Sequence, residues 1–208
     1  MKSNLYKYIE FFISFVLLPV SFTLNFPLWI KITLGLLGFV YVVFVLLKIE
    51  NNQFKISENL NWKQFWKQTF IRFVLIALAT IVFVWMVDNA NLFQVVINKP
   101  KLWVFIIFTY SVFSVYPQEL IFRTFYFQRY KGLFKNESLF IFLNAIVFSL
   151  AHLFYGNALV NLITFLGGLL FAITFNKTQS TLLVSIEHII YGCWLFTVGM
   201  GDMLGFPH

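Results

Sequence analysis

Glu119, Arg123, His152, Glu187 and His188 stand in a chain that is 60% hydrophobic and only 11% charged, with a mean hydropathy of +0.82. A charged side chain at the centre of a membrane helix costs about 2.5–3.5 kcal/mol on insertion scales, so each such group needs a partner or a task. Two imidazoles and a carboxylate are a known ligand set for catalytic zinc, which here would be Glu119, His152 and His188. The same three groups serve equally as a general base, a water-positioning group and an oxyanion stabiliser. Packing offers an alternative for each. Glu119 and Arg123 can neutralise one another, a histidine can hydrogen-bond across a helix interface, and Glu187 can be satisfied by headgroups, Tyr191 or a backbone group.

The elements that carry these groups are apolar helices. Three stretches stand out: YPQELIFRTFYFQRY from Tyr116, FSLAH from Phe148 to His152, and EHIIYG from Glu187 to Gly192. Glu119 and Arg123 are four residues apart and share a helix face, as do Phe148 and His152. Pro117 removes a backbone hydrogen bond just before the acidic residue and predicts a distortion there. At 1.5 Å per residue, Glu119, His152 and His188 fall about 15, 20 and 14 Å from the inner boundary of their helices. That common depth points to a shared site.

Seven apolar runs are long enough to cross a bilayer, near 9–25, 27–47, 68–87, 102–128, 139–155, 158–176 and 180–200. The expected fold is therefore all-α, a polytopic transmembrane helix bundle of about seven crossings. Its first run continues without a small-residue cleavage site and reads as a retained helix. Residues 1–100 hold the N-terminal helices with a cytoplasmic linker near 50–67, and residues 101–208 form the core that carries the three stretches.

The net charge of +7 is not a nucleic-acid signature, because the cations follow the loops. With a cytoplasmic N-terminus, the inner segments hold Lys2, Lys7, Lys48, Lys55, Lys63, Lys67, Arg129, Lys131, Lys135 and Lys177. The outer ones hold Lys31, Lys99 and Lys101, and His208 ends outside, as the positive-inside rule requires. The segment NLNWKQFWKQTF from Asn59 reads either as a helix in the headgroup region or as an aromatic belt leading into the third crossing. Small residues Gly167, Gly168 and Ala172 predict a close helix approach in the sixth run. The single cysteine, Cys193, reads as an inert packing residue.

At these residues the chain resembles the CPBP family, the intramembrane proteases of the CAAX prenyl protease 2 and lysostaphin-resistance-protein type. That family carries Glu-Glu-x-x-x-Arg, then Phe-x-x-x-His, then His-x-x-x-Asn, in that order. Here the matching stretches are Gln118-Glu119-Leu-Ile-Phe-Arg123, Phe148-Ser-Leu-Ala-His152 and His188-Ile-Ile-Tyr-Gly192, within roughly 106–201. The resemblance implies a water activated by the first Glu and the second-motif His, an oxyanion supported by the third-motif His and Asn, and a brace formed by the second Glu and the Arg. Two positions depart: Gln118 replaces the first Glu and Gly192 replaces the Asn. Glutamine is no general base, and glycine has no side chain to donate from. Either Glu119, assisted by Glu187, has taken over the base role, or peptidase activity has been lost.

The expectation is an intramembrane endopeptidase that hydrolyses a peptide bond in a membrane-embedded or lipid-modified substrate at a cytoplasm-facing site. Glu119, His152 and His188 are the expected catalytic residues, supported by Gln118, Arg123, Phe148 and Glu187. Zinc is the candidate metal, held by Glu119, His152 and His188. The expected partners are a peptide or protein substrate and the lipid bilayer, with no nucleic acid, and the expected location is a bacterial plasma membrane. The alternative is a catalytically degenerate relative that acts as a membrane binding or immunity protein.

Overall fold

A computed structural model describes residues 4–52 and 60–204, and every regular element among them is helical. The long ones, in chain order, are α1 (4–21), α2 (Leu28–Lys48), α3 (Trp62–Val87), α4 (Pro100–Leu133), α5 (Glu137–Leu150), α6 (Ala158–Thr178) and α7 (Thr181–Val198). The last six, with α5 continued to Tyr155 by a short turn, are long and apolar enough to cross a membrane. The first expected run forms α1, a helix with a π-helical stretch at Ile13–Leu17 and two charged residues, Lys7 and Glu10, in its first half. Large apolar side chains lie bare along these helices, among them Leu37 at 62% and Leu75 at 64% exposure, as helices bathed in lipid require. The chain is an integral membrane protein.

Local sequence sets the helix ends. Asn61, Asn136 and Asn157 cap α3, α5 and α6 with side-chain oxygens that accept backbone N–H groups. Pro100 occupies the first turn of α4, where its missing N–H leaves nothing unpaired. Trp62 opens α3, which runs unbroken to Val87. Part of the expected linker, residues 53–59, and His208 lie outside the described residues.

Two compact units result. The first comprises Met1–Ile56 and Gln118–Ser180, the second Ser57–Pro117 and Thr181–His208. In the first, aromatic rings make the core: Tyr126 stacks on Phe140 at 4.6 Å, and Phe127 lies 5.0 Å from Phe175. Phe122 meets Phe148 edge-on at 5.2 Å. Such pairs add about 0.5–1.5 kcal/mol beyond burial, which suits a membrane protein whose apolar surface gains little by leaving lipid. Gly168 of α6 lets α5 come close, since a Cβ there would stand 3.1 Å from Phe148 and 3.2 Å from the Ala145 backbone. In the second unit α7 packs against α3 and against the first half of α4. Trp194 donates to Thr80 of α3 at 2.9 Å, and Trp103 of α4 donates to Thr197 at 2.9 Å.

Candidate active site

Helix α4 positions the acidic motif through an irregular backbone. Pro117 cannot donate to the carbonyl four residues back, and π-helical stretches at Tyr110–Val115 and Leu120–Phe125 flank the short α-helical turn that holds Gln118 and Glu119. Each wide turn changes which way the following side chains face. Gln118 and Glu119 are successive residues of that turn, about 100° apart, and have different surroundings.

Glu119 is wholly buried in the first unit. Its Oε2 lies 3.4 Å from Arg123 Nε, and Arg123 is also wholly buried. The guanidinium donates to the carbonyls of Phe122 at 3.3 Å and Gly168 at 3.4 Å, and sits 4.7 Å above the Phe148 ring. Asn144 of α5 donates to the same Phe122 carbonyl at 2.6 Å. Arg123 thus joins α4 to α6, and the narrow waist at Gly168 is what brings the α6 carbonyl within reach.

Gln118 and His152 share a cavity of about 270 Å³ in the first unit. Its walls are apolar, with Phe15 and Leu18 from α1, Phe39 and Val42 from α2, and Phe122 and Phe125 from α4. Glu119 is not among its lining residues. His152 follows the end of α5, where its Nδ1 lies 2.7 Å from the Phe148 carbonyl oxygen. A carbonyl only accepts, so Nδ1 carries the proton and Nε2 of the neutral ring is the basic nitrogen. The ring rests on Phe148 at 4.8 Å and lies nearly parallel to Tyr155, at 16°.

The second unit holds the other two candidates. Glu187 is wholly buried and takes a 2.7 Å ion pair from Arg72 of α3. It also accepts from Tyr191, at 2.9 Å, one of the partners anticipated from the sequence. His188 is 6% exposed, and its Nε2 lies 3.0 Å from the Tyr110 hydroxyl. Sequence reasoning passed over both Arg72 and Tyr110. Arg72 did give a signal, as the only charged residue in the run 68–87. Tyr110 gave none, being one of 9 tyrosines and 78 residues from its partner.

No group of three His, Cys, Asp or Glu side chains among the described residues is placed to hold a metal ion. The Glu119 carboxylate faces the Arg123 guanidinium.

The helices define a polytopic all-α membrane protein with ionisable residues buried at the level of its spans. Residues 100–194, a little under half of the chain, match the family model described as Rce1-like, type II CAAX prenyl endopeptidase Rce1-like. Over that segment the chain is similar to the CAAX protease family. No curated protein and no solved structure matches the chain.

Proposed function

We propose that the chain is an intramembrane endopeptidase of the CAAX-protease type, acting on a membrane-embedded or lipid-modified peptide substrate. The observation that carries this is the shared cavity of Gln118 and His152 inside the family-matched segment, with the His152 proton fixed on Nδ1. In this reading His152 Nε2 takes a proton from water as the water oxygen attacks the scissile carbonyl carbon. The C–N bond then breaks, and the imidazolium returns its proton to the leaving amine. The Gln118 amide orients water or substrate but takes no proton. Glu119 braces Arg123 in the first unit, and His188 is a hydrogen-bonded residue of the second. A cytoplasm-facing site in a bacterial plasma membrane belongs to the same proposal, supported by the bias of the lysines.

The test is cleavage of prenylated CAAX-type peptides and membrane-segment peptides by the purified protein, beside Gln118→Glu, with and without chelator. Cleavage by the wild type, raised by Gln118→Glu, is the expected result. The second reading, a degenerate binding protein, is favoured by Gln118 standing at the cavity. A silent wild type made active by Gln118→Glu selects it, and silence in every lane overturns the peptidase assignment.

The apolar walls make a further expectation. Gly35 lines the cavity, and a Cβ there would meet nothing within 4 Å. Gly35→Phe puts a ring where the substrate's apolar part would lie. Its kcat/KM should fall about tenfold, the size of one lost hydrophobic contact. Steady-state kinetics with a lipidated peptide and its unlipidated counterpart check this, the former losing more. Equal loss on both would detach the cavity from substrate recognition.

A further inference from the structure

We infer that Tyr110 is a positioning residue for His188, and that Gly192 is a glycine because the Tyr110 hydroxyl occupies its side-chain space. A residue four positions after His188 is its neighbour on the same helix face. At 192 that neighbour is missing. A Cβ built there would stand 2.1 Å from the Tyr110 hydroxyl oxygen and 2.5 Å from two of its ring carbons, separations no real contact allows. The phenol of α4 therefore fills the volume beside the imidazole that a side chain of α7 would otherwise take. Both residues belong to the second unit.

Two further features show that this is a held arrangement. The Tyr110 ring packs edge-on against Phe196 at 4.8 Å, at the margin of an apolar cluster with Val95 and Ile106. Tyr110 also opens a π-helical stretch, the wide turn that re-aims side chains within α4. The result is a hydroxyl 3.0 Å from His188 Nε2. A neutral imidazole has one N–H, and a phenol both donates and accepts, so a bond held at Nε2 selects one tautomer of the ring. Tyr110 thereby sets the tautomer and the angle of the ring, while Gly192 keeps the space open.

The catalytic consequence rests on the peptidase reading above, but the placement of the ring does not, and the test separates them. The chain has only 3 histidines, so ¹⁵N-histidine spectra of the full-length protein in micelles resolve each ring. Tyr110→Phe keeps the packing on Phe196 and removes only the hydroxyl. Its expected result is a shift of both His188 ring nitrogens to a mixed tautomer, with the His152 signals unmoved. Gly192→Ala alters neither polar group and is expected to shift His188 as well, by displacing the phenol. In the cleavage assay Tyr110→Phe should lower kcat by about 10²-fold at most, with KM unchanged, as misplacement of a catalytic group does. Unaltered His188 signals in Tyr110→Phe overturn the inference even if the protein cleaves peptides. Shifted signals in a protein that cleaves nothing uphold the positioning role and count against the peptidase reading alone.

Discussion

His152→Ala is expected to lower kcat/KM by about 10²–10⁴-fold, the range a positioned general base supplies. The structure gives the reason this residue should matter most. His152 lines the cavity, and its bond to the Phe148 carbonyl leaves Nε2 as the basic nitrogen. Gln118, the other polar residue carried there by the acidic motif, has no basic atom. Stability should change little, because the ring is only half-buried, beside Phe148 of α5 and Tyr155 in the turn that follows. The discriminating comparison is His152→Ala against wild type in the peptide cleavage assay, with the thermal unfolding midpoint recorded for both. Retained cleavage in a folded His152→Ala protein would remove His152 from the chemistry and, with it, the mechanism drawn from the cavity.

The fold class was legible because apolar runs of membrane length leave few alternatives to helices, and the four-residue spacing of Glu119 with Arg123 correctly named a pair. The phase of α4 was not legible. A regular helix turns each residue by about 100°, but π-helical stretches on both sides of Pro117 break that register. Which of Gln118 and Glu119 met the cavity was thus a property of the folded backbone. Partners distant in sequence were hidden for another reason. The tie from Arg72 to Glu187 spans 115 residues, and that from Tyr110 to His188 spans 78. Gly192, noted only as a missing side chain, marked the second of these. The lone charge of Arg72 was readable by the same cost argument that singled out Glu187, and should have been paired with it.

Arg123→Met is expected to destabilise the protein by about 3–5 kcal/mol, the cost of leaving one member of a buried ion pair alone. The change keeps a long apolar stem between Phe148 and Phe171 but removes every donor, so the wholly buried Glu119 loses its counter-charge and the Gly168 carbonyl its Arg123 donor, while the Phe122 carbonyl keeps Asn144. Glu119→Gln should be milder, because Arg123 keeps those carbonyls and both rings. The double variant Glu119→Gln/Arg123→Met should then be more stable than Arg123→Met alone, the two sites being in contact and their effects non-additive. Equilibrium denaturation of the four proteins in micelles checks this, and an Arg123→Met loss below about 0.5 kcal/mol would place it with ordinary surface substitutions. The same four proteins decide what Glu119 is for. As a brace, its replacement by Gln lowers stability and activity together, and raising the stability elsewhere recovers both. As a base, Glu119→Gln would abolish cleavage in a protein as stable as the wild type, because the amide fills the same space without taking a proton.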